Sequence, residues 1–154
     1  MYSHSQTFSQ AFRFAKVAGM EIGPLITRAV LTVEEGDSFH DAAIWMIERG
    51  IGSAVVLKDG KPTGIITDRD ALRVIARGSD INAMTVGDCV TRGVKTVNPS
   101  LDLHDAAKVM RDKGFRHLVV VDDNDELAGV FSMRDLVVGL LQERTEVAAA
   151  AAQS

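Results

Sequence analysis

"GIITDRD", residues 64–70, returns 65 positions later as "GVFSMRD", residues 129–135. Each copy holds a glycine, two apolar residues, a hydroxyl residue, a variable residue, then Arg-Asp. Taken alone, the stretch reads as a strand running into a capped helix. Thr67-x-x-Asp70 and Ser132-x-x-Asp135 resemble a capping box with Asp in place of Glu or Gln, and an acid in the first turn suits the helix dipole. Capping accounts for the hydroxyl and the acid. It leaves the glycine unexplained, and the arginine beside the acid is out of place at the positive end of a helix.

The duplication reaches well beyond this motif. Shifted by 64 positions, Met20–Gly60 falls on Met84–Asn124, and 16 of the 41 pairs are identical. Gly23 meets Gly87, Thr27 meets Thr91, Arg28 meets Arg92, and "HDAA" at 40–43 meets "HDAA" at 104–107. One extra residue near Asn124 then moves the offset to 65. Two copies are too few for a solenoid; they predict two similar halves packed on a shared core.

Each copy reads β-α-β-β-α, an α/β (α+β) pattern. A short apolar stretch leads (Val30–Val33; Val94–Val97). In the first helix Phe39, Ala42, Ala43, Met46 and Ile47 share one face, as Leu103, Ala106, Ala107 and Met110 do in the second copy. Asp37 or Ser38 caps the first, "NPS" at 98–100 signals the start of the second, and Gly50 and Gly114 stop them. Strands follow at 53–57 and 117–121, then turns ("KDGKP"; "DDNDE"), then strands at 63–67 and 128–132. Helices over 68–77 and 133–144 close the copies. The organisation expected is an N-terminal extension at 1–19, repeats at 20–80 and 84–144, and an Ala-rich tail at 145–154 with nothing to pack on. Phe8, Phe12 and Phe14 suit a short packing arm.

Composition narrows the function classes. The formal net charge of −4 argues against nucleic acid as partner, which needs a basic surface, but leaves room for a small anion in a local basic pocket. A single cysteine, Cys89, allows no internal disulfide and fits a reducing compartment. No secretory pattern opens the chain, and no run approaches the roughly 20 apolar residues that span a bilayer. A cytoplasmic protein without a membrane partner is expected.

A helix N-terminus after a strand offers outward-pointing amides to a ligand. A carboxylate there repels phosphate but accepts from neutral hydroxyls, and a ribose presents two side by side. The adjacent Arg69 or Arg134 would face phosphates.

These features together resemble a tandem pair of cystathionine-β-synthase (CBS) domains, a Bateman module. The second copy carries the likeness in "VTRGVKTV", "HDAAKVM", "GFRHLVVVD" and "GVFSMRD", the first in "ITRAVLTV", "HDAAIWM", "GIGSAVVL" and "GIITDRD". The resemblance covers residues 20–144 and implies two β-α-β-β-α repeats packed with pseudo-two-fold symmetry into one module. It implies that Thr67, Asp70, Ser132 and Asp135 bind the ribose of an adenosyl ligand. Thr27 and Val30, with Thr91 and Val94, would flank the adenine. Ser53 and Ala54 would contribute to the base site, and Arg116, His117, Arg69 and Arg134 would meet phosphates. Each cleft would draw on both copies, and "FRH" against "IGS" predicts unequal sites. The implied ligand is a regulatory adenine nucleotide (AMP, ADP or ATP); the alternative is a dimerisation or interaction module that binds another adenosyl ligand, S-adenosylmethionine or NAD, or none. The implied assembly is a homodimer paired through helices, with Leu136, Leu140 and Leu141 supplying an apolar face, and the output would pass to a separate effector protein or lie in dimer geometry alone.

The remaining residues suit ordinary roles. His40 and His104 match at helix starts without metal-ligand spacing. Cys89 falls opposite Leu25 and reads as a small buried residue, and Trp45 as packing. No nucleophile has a matched base, and neither a metal cluster nor a Walker-type loop is present. No catalytic cofactor, metal or enzyme activity is expected.

Overall fold

The computed structural model describes residues 19–153. The expected arm with Phe8, Phe12 and Phe14 lies outside the described residues. Two half-modules are built from β1 (Thr32–Glu34), α1 (Phe39–Glu48), β2 (Ser53–Lys58), β3 (Lys61–Thr67) and α2 (Asp68–Ala76), then α3 (Val86–Cys89), β4 (Thr91–Arg92), β5 (Thr96–Val97), α4 (Leu103–Lys113), β6 (His117–Val121), β7 (Leu127–Ser132) and α5 (Met133–Ala152). The expected β-α-β-β-α order is present twice.

The local chemistry explains most boundaries. Ser38 caps α1 by accepting from the Asp41 N–H at 3.2 Å. The second copy differs from expectation: Asn98 turns the chain by accepting from the Ser100 N–H, and the cap of α4 is Asp102, which accepts from His104 and Asp105. Asp is a strong N-cap and binds two otherwise orphan donors here. The β2–β3 hairpin turns on Asp59 and Gly60, both with positive φ, the backbone that a tight two-residue turn requires. Helix α5 continues through the expected tail to Ala152, since alanine carries the highest helix propensity.

Both sheets show the same register. β2 pairs with β1 in parallel and with β3 antiparallel, and β6 pairs likewise with β5 and β7. The irregularity between Val56 and Leu57 recurs between Val120 and Val121.

The leading segments cross. β4, which opens the second copy, pairs with β3 of the first. Thr27, which opens the first copy, bridges to Val130 on β7 of the second, exchanging two 2.9 Å backbone hydrogen bonds. Upstream, the Ile22 N–H donates to Leu101 and the Gly23 N–H to Pro99, while Val86 and Gly87 donate to Asp37 and Glu35. The cores follow the crossing. Ile22 and Ile26 sit in the second core with Leu103, Met110, Leu118 and Phe131, and Val86 sits in the first with Phe39, Val56 and Ile66. Cys89 packs half-buried against that first core, and burial pushes its thiol pKa up. A third cluster, Val55, Val119, Val121 and Val130, joins the halves.

This crossing accounts for the glycine that capping left unexplained. A Cβ on Gly129 would stand 2.5 Å from the Thr27 carbonyl oxygen, and one on Gly64 would strike Val90 and approach the Thr91 carbonyl to 3.0 Å. Each glycine lets the other copy's leading strand lie flat on it. Gly129→Ala is expected to destabilise the protein by about 1–3 kcal/mol, the range for overpacking, measured by urea denaturation. Gly36→Ala, with open space at its Cβ, serves as the near-neutral control.

Leu136 does not join the expected apolar face; it is buried in the second core beside α4. The face that α5 exposes instead carries Val137, Val138, Leu140 and Leu141. His104 Nε2 and Glu143 Oε2, 2.7 Å apart, tie α4 to α5.

Candidate functional site

Strand β3 runs straight into α2, and β7 into α5, so each motif hydroxyl is an N-cap. Asp70 Oδ2 accepts from the Thr67 N–H at 2.9 Å and from the Thr67 hydroxyl at 3.1 Å. Asp135 Oδ2 accepts from the Ser132 N–H and hydroxyl, both at 2.7 Å, and Ser132 Oγ accepts from the Asp135 N–H at 3.3 Å. The capping box is therefore real in both copies. The second carboxylate oxygens differ. Asp70 Oδ1 accepts from Arg73 at 2.6 Å. At the matched position of the second copy stands Val138, and Asp135 forms no ion pair among the described residues.

Two clefts open at these helix ends, with volumes of about 300 and 540 Å³, within the usual range for small-molecule pockets. The first joins Thr67, Arg69 and Asp70 of copy one to Thr91, Val94, Arg116 and His117 of copy two. The second joins Ser132, Arg134 and Asp135 of copy two to Thr27, Val30 and Ser53 of copy one. Each motif thus faces the leading segment of the other copy, a direct result of the crossed strands. Ala54 lines neither cleft: strand alternation turns Ser53 to the cleft and Ala54 into the first core, where it is fully buried.

The fold adds cations that sequence reasoning missed. Arg73, Lys95 and Lys113 line the first cleft. Lys95 follows Val94 directly and Lys113 closes α4 just before Gly114, so their proximity to known motif positions was the available signal. Arg69, Lys95, Lys113 and Arg116 form no ion pair among the described residues. Arg134 is the cation that the second cleft adds to Arg116. No group of three His, Cys, Asp or Glu side chains among the described residues could hold a metal ion.

The matches to known proteins decide the family. A CBS domain model fits residues 21–77 and again residues 86–141. The chain belongs to the CBS-domain family. A Methanopyrus kandleri protein of uncharacterised function is 34% identical over 120 residues, covering 77% of this chain and 61% of that protein. A CBS-domain protein of Pyrobaculum aerophilum, solved in complex with AMP, superposes with a TM-score of 0.73 at 29% identity, covering 82% of this chain and 99% of that one. CBSX2 of Arabidopsis thaliana, a CBS-pair protein also solved with AMP, matches at a TM-score of 0.71 and 26% identity, over 82% and 99% of the two chains. This CBS pair holds both domains in tandem, as those structures do. No helix among its described residues is long and apolar enough to cross a membrane.

His117 is half-buried at the head of β6. Burial, and then the adjacent Arg116, push its imidazole below the ordinary 6.5, against the weaker pull of Asp68 and Asp135. A histidine with a depressed folded pKa costs nothing above the unfolded value. As pH falls below about 6.5 the unfolded chain binds the proton more readily, and stability drops. Melting scans from pH 7.5 to 5.5 should therefore fall more steeply for the wild type than for His117→Gln, the difference appearing below about pH 6.5.

Proposed function

We propose that this CBS pair is a regulatory adenine-nucleotide sensor, binding AMP, ADP or ATP in its two clefts and passing the signal on through a change of shape or of partner affinity. One observation carries the reading: each cleft sets a hydroxyl–carboxylate pair and cationic side chains against a wall supplied by the other copy, and in the first cleft that other copy also supplies Lys95, Lys113 and Arg116. The carboxylate suits ribose hydroxyls, and the cations suit phosphate. Thr27 and Val30 in one cleft, and Thr91 and Val94 in the other, suit the edges and faces of the adenine. The AMP complexes of two relatives support the adenosyl class. Because the binding walls come from both copies, a ligand favours whichever arrangement of the halves fits it. The role is regulatory rather than catalytic, and the output passes to a separate effector protein or to a homodimer joined through the exposed apolar side chains of α5 and α2.

S-adenosylmethionine and NAD share the adenosyl group and are the second reading. A thermal-shift panel of AMP, ADP, ATP, NAD and S-adenosylmethionine separates the two. A ligand at a hundredfold excess over its dissociation constant stabilises by about 2.7 kcal/mol, or about 5–10 °C for a chain of this size. The nucleotides should give the large shifts. A panel in which only S-adenosylmethionine or NAD shifts the melt would replace the nucleotide reading.

A further inference from the structure

The two clefts are not separate sites. Arg116 and His117 line both. The Arg116 carbonyl accepts from the Met133 N–H at 2.9 Å, which pins this residue at the head of α5 and thus at the second cleft. Its neighbours in the first cleft are Arg69, Lys95 and Lys113. The pseudo-symmetric partner of Arg116 is Gly52, whose carbonyl accepts from the Asp68 N–H in the same way but which has no side chain to share. The module therefore contains one arginine lining both clefts where its symmetry would allow two.

We propose that binding of a polyphosphate nucleotide in the first cleft weakens binding of a second in the other cleft, because both draw on Arg116. The charge inventory sets the direction. Without Arg116 the first cleft retains Arg69, Arg73, Lys95 and Lys113 against Asp68 and Asp70, whereas the second retains Arg134 against Asp135. The first cleft therefore fills first and takes the shared guanidinium. The second nucleotide loses a charge-assisted hydrogen bond and meets the charge of the first across the wall that Arg116 and His117 share, and both effects act against it. An uncharged adenosyl ligand loses neither and fills both clefts independently. The module would thus accept one polyphosphate together with one weakly charged ligand more readily than two polyphosphates.

The inference rests on the adenine-nucleotide reading, and calorimetry distinguishes their failures. ATP and adenosine are titrated into the wild type, into Asp70→Ala, which disables the first cleft, and into Asp135→Ala, which disables the second. The second ATP on the wild type should bind about tenfold or more weakly than ATP binds the second cleft of Asp70→Ala, the size expected for one lost charged hydrogen bond. Adenosine isotherms of the wild type should equal the sum of the two single-cleft variants. In Arg116→Gln the ATP difference should shrink toward unity. Should Asp70→Ala not fold, Lys113→Glu, an exposed change at the end of α4, weakens the first cleft in its place. An ATP isotherm equal to the sum of the single-cleft variants overturns the coupling while leaving the nucleotide reading intact, and an undiminished difference in Arg116→Gln overturns the role of that residue. If neither ATP nor adenosine bound the wild type, both readings would fall together.

Discussion

Asp135→Ala should empty the second cleft of AMP while leaving the protein folded. Asp135 Oδ2 is taken up by the Ser132 N–H and hydroxyl, which is the capping role. Losing a cap costs about 0.5–2 kcal/mol. Helix α5 tolerates that cost, since it runs to Ala152 and is anchored by Leu136 in the second core. The other oxygen faces no competing ion pair among the described residues, and on the proposed reading it accepts from a ribose. Two hydrogen bonds to a carboxylate contribute about 1.5–3 kcal/mol each, which makes the loss of affinity more than about a hundredfold. Calorimetry with AMP should therefore lose one of two binding phases, while the melting temperature of the unliganded protein falls only a few degrees. AMP affinities left unchanged in both Asp135→Ala and Asp70→Ala would end the ribose role and leave capping as the whole purpose of the motif.

Ile22→Ala should damage the half of the molecule to which it does not belong by sequence. Ile22 is fully buried, and its neighbours are Leu103, Leu118 and Phe131 of the second copy. Removing a buried Ile side chain to Ala costs about 2–5 kcal/mol through lost burial and the cavity left behind. For a chain of this length that lowers the melting temperature by about 5–20 °C. Hydrogen exchange locates the damage. Protection should fall first in α4, β6 and β7 and later in β2 and β3. Val86→Ala, also fully buried but in the first core, should show the mirror pattern. Protection lost first in β2 and β3 of Ile22→Ala would contradict the crossed cores.

Much of this fold is legible in the sequence. The repeat at an offset of 64 carried the fold, because paired identities such as Thr27/Thr91 and Gly50/Gly114 report matched backbone roles. The caps at Ser38, Thr67 and Ser132 follow from local chemistry. Other features depended on what the chain meets in space. No local pattern says that Thr27 will lie on Val130 rather than on its own copy's β3. Once it does, the demand for glycine at 64 and 129 follows. Lys95 and Lys113 read as ordinary surface lysines until the crossing brings their segments to the same cleft as Asp70. Leu136 and Leu140 share a helical face by spacing, yet packing against α4 divides them into core and surface. Resemblance alone pairs Ala54 with Ser53 in the site, but adjacent strand residues point to opposite faces, and Ala54 is buried in the core.

The crossing of the leading segments also sets a schedule for synthesis. As the chain leaves the ribosome, the first core cannot be completed when residue 77 emerges, because it waits for Val86 to fill it and for β4 to cover the edge of β3. Residues 20–26 must in turn stay unsatisfied until Leu101, Leu103 and Phe131 have appeared. Closing contacts as distant as Ile22 with Leu101 spends chain entropy before burial returns it, which slows folding. The nascent first copy therefore exposes its open edge for the time needed to make the second, and the two copies reach the native state together rather than one after the other.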